Sequence, residues 1–552
     1  MKEQLRKILE EAAKKWDPLP EFDLERPKIK AHGELSTNLA MILARREKLN
    51  PQVVAQEIIA NLKDPQGIIE DVSVAGGGFL NFVLKKKLWQ QSLQQVLLES
   101  FGSSQVGQGK RAVIEFISAN PTGPLHIGNA RGGPLGDAIA SLLQTVGYQV
   151  TREYYVNDVG GQINKLGESI LYWIREENNP EAKGPEGYQG DYVKELAQEA
   201  KKKIWDKISE SKDQVQVLGR FGIEGLMKQI RQDCDDMRIH FDVWVHEKEI
   251  LGSGKTEAVL KEMEKKGVTK KEEGALWFAD PQNQFLQDRE CVLERSDGRP
   301  TYFANDIAYH LEKYKKGYDR LINVWGSNHH GHVPRVKAAV QCLGENPEKI
   351  ETVLYQYVRV KRGKDAVKMS KRGGNFVTAR EVLDEVGADA LRFFLLMRAP
   401  ESHLDFDVEL AKNHSQENPV YYVQYAHARL ASIERKAAEQ GIILKENSVI
   451  RWDLLDLPEE LELIRLLQEY PDEILRAAQK LEPHRIVFYL LELTKLFQSY
   501  YTKAKENDNY RVISGDVDTT LAKLYLCRAL KLILGKGLKI LGITAPELMT
   551  QE

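Results

Sequence analysis

The feature that most constrains this 552-residue chain is a strand, turn, helix and strand succession that starts near residue 111. An apolar run (112–117, AVIEFI) precedes a turn rich in glycine and proline (118–136), a helical pattern (137–148) and a second strand pattern (149–156, QVTREYYV). Two strands joined by a crossover helix form a βαβ unit, whose strands run parallel. The sequence therefore predicts an α/β core built on a parallel sheet, with ligands outside the carboxyl ends of its strands.

Length and texture divide the chain into several domains, because a single hydrophobic core stops growing near ~250–300 residues. Residues 1–100 combine helical stretches with strand-like segments and predict an α+β N-terminal domain. Residues 101–400 hold the α/β core, into which charged helices at about 165–265 are predicted to be inserted. Residues 401–552 keep helical spacing and predict an all-α C-terminal domain.

Composition excludes several classes of protein. The 78 Lys and Arg residues nearly balance the 81 Asp and Glu residues, and the formal net charge of −3 excludes a histone-like protein but not a local basic groove. The four cysteines form no C-x-x-C pair, which argues against a structural zinc site and favours a reducing compartment, so we expect a cytoplasmic protein. No run of ~18 uncharged apolar residues occurs, and no membrane span is predicted.

The turn after the first strand is one candidate site. Small residues and prolines punctuate it, and His126 stands immediately before a helix. Small residues let a ligand approach the backbone, and a helix N-terminus favours anions. The pattern matches neither G-x-G-x-x-G nor the P-loop. A phosphate site and a structural turn with a helix-capping histidine both remain open.

A cationic segment is the other candidate site. Six Lys or Arg residues and one acid, Asp365, lie between Lys361 and Arg372, with glycines that make the segment flexible. The segment is either a solvated hairpin tip or a mobile loop that neutralises charge developing on transferring phosphates.

Together, the two segments resemble the signatures of a known enzyme class. HIGN (126–129) and KMSKR (368–372) are similar to H-I-G-H and K-M-S-K-S of the class I aminoacyl-tRNA synthetases, with Asn129 in place of the second histidine. The resemblance implies a Rossmann-like catalytic core that binds ATP with Mg²⁺, the metal contacting phosphates and water rather than a protein cage. The catalytic residues that it implies are His126, Asn129, Lys368 and Lys371.

Longer stretches narrow the resemblance to the bacterial-type arginyl-tRNA synthetases and extend it over nearly the whole chain. They are 118–137 (SANPTGPLHIGNARGGPLGD), 153–163 (EYYVNDVGGQI), 302–310 (YFANDIAYH) and 326–335 (GSNHHGHVPR). The arginine-binding residues that this resemblance implies are Glu115, Ser118, Asn120, Tyr302, Asp306 and His329. The ATP-binding residues that it implies are Pro121, Gly123, His126, Gly128, Asn129, Gly326, Asn328, His329, Met369 and Lys371.

Two of these residues have a second interpretation. A guanidinium pairs well with a carboxylate such as Asp306, but Asp306 precedes a helical pattern and is also a candidate N-cap. His329 lies close to His330 and His332, and three neighbouring imidazoles are typical of a metal site. The resemblance instead places them in a glycine-bearing loop near the ATP ribose, and no resident metal is expected.

The flanking regions resemble the tRNA-binding parts of the same family. Residues 32–40 (HGELSTNLA) and 76–82 (GGGFLNF) are similar to its N-terminal domain, which approaches the tRNA elbow. Residues 387–396 and 418–430 are similar to the start of its anticodon-binding domain, and the implied tRNA-binding residues are Tyr421, Tyr425 and Arg429. Such side chains stack on unpaired bases, although tyrosines half-buried between helices fit the same pattern.

The resemblance implies ATP-dependent ligation of L-arginine to tRNA(Arg) through an arginyl-adenylate, with release of diphosphate and AMP. We expect tRNA to be required for adenylate formation, and we expect a monomer. A cysteinyl enzyme is disfavoured because the chain lacks paired cysteines for zinc. A non-catalytic tRNA-binding relative is the remaining alternative, and the intact predicted catalytic residues argue against it.

Overall fold

The computed structural model describes residues 1–549 except 28, 30, 31, 177, 178, 180–182, 287–289, 364 and 367–376. The chain divides into two compact units. The first comprises Met1–Phe101, Arg429–Tyr470 and Lys495–Ile533. The second comprises Gly102–Ala428, Pro471–Thr494 and Leu534–Glu552.

The N-terminal part of the first unit combines helices with a small antiparallel sheet, as the sequence predicts. Its elements are α1 (Lys2–Ala12), β1 (Leu35–Thr37), α2 (Leu39–Glu47), α3 (Pro51–Ala60), β2 (Ile69–Ala75), β3 (Phe79–Leu84) and α4 (Lys86–Val96). The strand order is β1-β3-β2, with β3 antiparallel to both neighbours. Helix α1 buries Leu5, Ile8, Leu9 and Ala12, which share one face because they recur at helical spacing.

The region from residue 111 to residue 412 contains both strands and helices. The strands are β4 (Arg111–Phe116), β5 (Gln149–Val156), β6 (Val243–His246), β7 (Thr269–Glu272), β8 (Ala275–Phe278), β9 (Cys291–Glu294), β10 (Arg320–Gly326), β11 (Ile350–Tyr355), β12 (Val358–Arg362), β13 (Asp365–Ala366) and β14 (Leu404–Asp407). The helices are α5 (Ile127–Ala130), α6 (Gly132–Thr145), α7 (Gly161–Arg175), α8 (Asp191–Lys203), α9 (Trp205–Ile208), α10 (Gln214–Asp236), α11 (Glu247–Gly252), α12 (Lys255–Lys265), α13 (Tyr302–Lys315), α14 (His332–Cys342), α15 (Ala379–Leu396) and α16 (Val408–Lys412).

The centre of the second unit is a five-stranded parallel sheet in the order β11-β10-β4-β5-β6. This sheet confirms the predicted α/β core. Strands β5 and β6 lie on one side of β4, and β10 and β11 lie on the other. The chain therefore changes direction along the sheet between β4 and β10, which makes their carboxyl ends a topological switch point.

The central strand β4 is buried, and α6 packs closely against it. Ala112, Val113, Ile114 and Phe116 are fully buried. A Cβ at Gly136 of α6 would lie 2.2 Å from Cγ of Phe116, so only glycine permits this approach.

The region predicted as a helical insertion contains α7 to α12, but it also supplies a strand of the main sheet. Strand β6 pairs in parallel with β5 and forms the sheet edge. Strand β6 has four residues and lies between charged helices, and a segment of this length is too short to be recognised as a strand from its periodicity. Likewise β14, beyond residue 400, pairs in parallel with β12.

The C-terminal region is helical, as predicted. Its long helices are α17 (Pro419–Glu439), α18 (Pro458–Lys480), α19 (His484–Lys503) and α20 (Val517–Ile540). Helix α20 buries Leu526, Leu530, Ile533, Leu534 and Leu538. Across the described part of the chain, every helix is too short or too polar to cross a bilayer.

Candidate active site

A cavity of about 440 Å³ lies at the carboxyl ends of β4 and β10. Ten of the residues predicted to bind arginine or ATP line it: Glu115, Ser118, Asn120, His126, Gly128, Asn129, Tyr302, Gly326, Asn328 and His329. Pro121, Gly123 and Asp306 are not among its lining residues. Lys368, Met369 and Lys371 lie outside the described residues.

The turn that leaves β4 is strained. Ile117 and Ser118 have φ angles of 64° and 40°, and a positive φ at a β-branched residue such as Ile117 is a genuine outlier. The Ser118 hydroxyl donates to Oε1 of Glu115 at 3.0 Å and accepts from the backbone N–H of Tyr155 at 3.1 Å. These bonds hold the strained turn, and such strain clusters at functional sites. No sequence pattern indicated it.

Residues 119–123 are held from outside the cavity by two tyrosines. The Tyr154 hydroxyl donates to the carbonyl of Ala119 at 2.9 Å, next to Asn120. The Tyr192 hydroxyl donates to the carbonyl of Thr122 at 2.8 Å, and a Cβ at Gly123 would lie 3.3 Å from that hydroxyl. Gly123, predicted to contact ATP, thus packs beside Tyr192 of α8.

His126 caps a helix and also faces the cavity. Its Nδ1 accepts a hydrogen bond from the backbone N–H of Gly128 at 2.8 Å. In a neutral imidazole with an accepting Nδ1, the proton is on Nε2. The capping interpretation and the ligand interpretation are therefore compatible, because one ring nitrogen serves the cap and the other is a donor.

A buried row of polar residues crosses the sheet beneath the cavity. Asn323 of β10, Glu115 of β4 and Glu153 of β5 are in register on adjacent strands. Nζ of Lys313 on α13 lies 3.0 Å from Oε2 of Glu115 and 3.5 Å from Oε1 of Glu153. This lysine, 1% exposed, places one positive charge between the two carboxylates, and Nζ of Lys316 lies 3.8 Å from the other oxygen of Glu153. Sequence reasoning missed Lys313, although its helical spacing from Asp306 could have indicated it.

Asp306 is enclosed by two imidazoles. His332 Nε2 lies 2.6 Å from Oδ2 of Asp306, and His310 Nδ1 lies 3.1 Å from Oδ1. Burial would raise the pKa of Asp306, but hydrogen bonds and charge from His310 and His332 hold that pKa well below its ordinary value. The N-cap interpretation of Asp306 is wrong, because Thr301 caps α13.

The loop after β10 contributes Gly326, Asn328 and His329. Burial, with the nearby His332, lowers the pKa of His329 below its ordinary value, which favours the neutral imidazole. A Cβ at Gly326 would lie 2.6 Å from Oδ1 of Asn328, so a side chain at this position would clash with Asn328. Within the ranges that the structure describes, no group of three or more His, Cys, Asp or Glu residues could hold a metal ion.

Arg131, two residues after the first signature, is a structural link that sequence reasoning missed. Its guanidinium donates to the carbonyls of Gln356, Ser402 and Ala399 at 2.8, 2.9 and 3.0 Å. Burial lowers the pKa of Arg131 to about 10. Because Gln356 lines the cavity, Arg131 ties α5 to the cavity wall that leads into β12.

The predicted tRNA-binding residues are not among those that line the cavity. In the second unit, the rings of His414, Tyr421 and Tyr425 stack in a row with centroid spacings of 5.9 Å. In the first unit, the Arg429 guanidinium lies 4.6 Å from the centroid of the Tyr501 ring and donates to Gln498.

Three family models match successive parts of the chain. The Arginyl tRNA synthetase N terminal domain matches residues 1–84. The catalytic domain of tRNA synthetases class I (R) matches residues 92–395, and the DALR anticodon binding domain matches residues 423–549.

Individual proteins match over nearly the whole chain. An arginine–tRNA ligase of Desulfosudis oleivorans is 44% identical over 538 residues, covering 96% of this chain and 95% of the relative. One of Syntrophotalea carbinolica is 43% identical over 536 residues, with the same coverage. The solved structure of Thermus thermophilus arginyl-tRNA synthetase has a TM-score of 0.80 at 25% identity and covers 100% of both chains. From these matches and the cavity at the switch point, the chain belongs to the arginyl-tRNA synthetase family, within class I of the aminoacyl-tRNA synthetases.

Proposed function

We propose that the chain ligates L-arginine to tRNA(Arg) at the cavity between β4 and β10. The observation that carries this proposal is that His126, a histidine donor, lines the switch-point cavity, and that a buried carboxylate, Asp306, lies directly behind the lining residue His332. In the first step the arginine carboxylate attacks the α-phosphate of ATP, and diphosphate leaves. In the second step a terminal ribose hydroxyl of tRNA attacks the arginyl carbonyl, and AMP leaves.

The side chain of arginine is bound at the end of the cavity formed by α13. The guanidinium is a planar five-donor fork that pairs best with carboxylate oxygens, and Asp306 is ionised because its pKa is held low. Tyr302 lines the cavity one helical turn before Asp306, and its phenol contacts the guanidinium of the bound arginine. Glu115 supports the turn that presents Ser118 and Asn120, and one of its oxygens is held by Lys313.

The phosphates of ATP are bound at the opposite end, by the first signature. His126 donates from Nε2 to a phosphate oxygen, and Asn129 donates from its amide. Gly128 and Gly326 line the cavity where the nucleotide is bound. Lys368 and Lys371 stabilise the charge that develops on the leaving diphosphate. Mg²⁺ enters with ATP as part of the substrate.

The tRNA is contacted by parts of the chain outside the catalytic core. In the first unit, a cavity of about 430 Å³ is lined by Phe79, 41% exposed, and Asn81, whose buried Nδ2 has no hydrogen-bond partner in the described part of the chain. An exposed ring beside an unpaired amide donor suits an unstacked base, which supports an N-terminal domain at the tRNA elbow. Tyr421, Tyr425 and Arg429 contact tRNA from the C-terminal domain.

Aminoacylation of tRNA(Arg) with each of the twenty amino acids tests the substrate. We expect turnover with arginine alone; turnover with another amino acid would overturn the assignment. Diphosphate exchange with arginine, with and without tRNA, tests the expected tRNA requirement, which equal exchange in both reactions would contradict. Sedimentation at working concentration tests the expected monomer.

Replacing Lys371 by alanine tests the role of the second signature. We expect a large loss in the rate of adenylate formation with arginine binding nearly unchanged, because the lysine acts on phosphate charge. Lys261→Ala, an exposed lysine of α12, is the matched control. Unchanged turnover in Lys371→Ala would exclude the proposed role.

A further inference from the structure

His332 stands between the cavity and the carboxylate proposed to bind arginine. His332 lines the cavity, whereas Asp306, 4% exposed, does not. The two side chains are joined through Nε2 and Oδ2 at 2.6 Å. An arginine side chain that enters from the cavity therefore meets His332 before it reaches the carboxylate of Asp306.

The surroundings of His332 are those of a site for a planar cation. The rings of Tyr302, Phe303, Trp325 and His329 surround its imidazole at centroid distances of 6.1, 5.4, 5.6 and 6.4 Å. The carboxylate of Asp306 lies at one end. A guanidinium stacks on rings and pairs with a carboxylate in the same way as an imidazolium. Both cations therefore fit the same place.

His310, the other imidazole on Asp306, does not compete for it. Nε2 of His310 lies 3.0 Å from the amide nitrogen of Asn323, whose amide oxygen faces Nζ of Lys313 at 3.4 Å. The amide nitrogen is a donor, so Nε2 of His310 accepts this hydrogen bond. Nδ1 of His310 donates to the backbone carbonyl of Asp306 at 2.9 Å and lies 3.1 Å from its Oδ1, so both ring nitrogens of His310 are already occupied.

We propose that His332 is a positioning residue that occupies the guanidinium site when protonated and admits arginine only when neutral. A neutral imidazole still donates one hydrogen bond to Asp306 and leaves the other lone pairs of the carboxylate to the guanidinium. An imidazolium instead pairs with the carboxylate and repels the incoming cation. This inference rests on the proposed function, specifically on Asp306 as the arginine-binding carboxylate.

The other titratable groups around His332 do not give the same pH-dependent block of the guanidinium site. From α13 it faces Tyr302 and Asp306, with His310 behind Asp306. From the loop after β10 it faces His329, whose pKa is lowered by burial and by His332 itself. From β4 the cavity presents Glu115, which is already bound by Lys313 and Ser118.

Calorimetry of L-arginine binding to the full chain tests the inference. The measurements cover about pH 5.5 to 8, where an imidazole titrates, and two buffers of different ionisation enthalpy report the number of protons released. For the wild type we expect arginine affinity to rise with pH, by up to about tenfold per pH unit on the acid side, with release of up to about one proton. His332→Gln keeps a neutral donor to Asp306, so we expect affinity independent of pH and no proton release. His332→Lys keeps a permanent cation, so we expect weak arginine binding throughout.

Aminoacylation at saturating arginine separates positioning from catalysis. We expect the kcat of His332→Gln to stay within about twofold of the wild type, with the pH effect confined to the KM for arginine. His240→Gln, an exposed histidine beside Asp235, is the matched control and should keep the wild-type pH profile.

Two outcomes distinguish this inference from the proposed function. If Asp306→Asn binds arginine as the wild type does, the proposed arginine site is wrong. If Asp306→Asn loses arginine while His332→Gln keeps the wild-type pH slope and proton release, the site stands and the role of His332 is overturned. Absence of proton release by the wild-type chain below pH 7 overturns it without any variant.

Discussion

Replacing Lys313 by methionine removes the cation that lies beneath the cavity. Lys313 contacts Glu115 at 3.0 Å and Glu153 at 3.5 Å, and the Tyr309 hydroxyl donates to the same Glu153 oxygen at 2.6 Å. Methionine fills a similar volume but cannot neutralise either carboxylate. We expect the junction of α13 with the sheet to be destabilised, and arginine binding to weaken because Glu115 holds Ser118.

The magnitude follows from burial. Lys313, Glu115 and Glu153 are 1%, 4% and 0% exposed. Removing one partner of a buried ion pair costs about 3–5 kcal/mol, because the remaining charge is left buried and uncompensated. Lys315→Met is the matched control, since Lys315 on the same helix forms an exposed pair with Glu312. Such pairs contribute about 0–1 kcal/mol.

Hydrogen exchange of the full chain measures the effect locally, in the helix and the strand that carry the buried charges. We expect protection in α13 and β4 to fall by about two to four orders of magnitude in Lys313→Met, and by less than about tenfold in Lys315→Met. Adding Glu153→Gln should restore part of the loss, because one uncompensated charge is removed. Equal protection in both lysine variants, or additive losses with Glu153→Gln, would refute this account.

Three further predictions concern other parts of the second unit. Arg131→Met leaves three partly buried carbonyls without this donor, so we expect a lower melting temperature and a reduced kcat in aminoacylation, whereas Arg131→Lys should retain part of both. Burial raises the pKa of Glu247 to about 7; the folded chain keeps this proton longer than the unfolded chain, so stability should fall by roughly 3 kcal/mol as pH rises from about 4.5 to 7. Glu247→Gln should remove that part of the pH dependence of thermal unfolding. Gly136→Ala places a methyl against Phe116, and we expect a loss of about 1–3 kcal/mol in unfolding free energy, whereas an unchanged melting temperature would contradict the close packing of α6.

Short-range sequence patterns predicted much of the fold. Strand β5 spans Gln149–Val156, the same residues that the strand pattern predicts, and β4 differs from its prediction by one residue at each end. Periodicity, glycine and proline act within a few residues, so they are readable without a partner. Strands β6 and β14 were not predicted. Each has four residues and is stabilised by pairing with a neighbouring strand, β5 or β12, that is distant in sequence.

The two signatures and their flanks also identified the family before any geometry, and the family matches confirm that prediction. Ten predicted ligand residues line one cavity because β4 and β10 are neighbours in the sheet. The roles of Lys368, Met369 and Lys371 stay predictions, since these residues lie outside the described ones.

By itself, the sequence determined the α/β core, the family and most of the residues around the site. Only the tertiary structure decided which charges meet. Lys313 neutralises Glu115 from 198 positions away, and His332 lies against Asp306 from the next helix. The physical reason is that the energy of a buried charge depends on its neighbours in space and on the loss of water around it, and neither is written in local sequence.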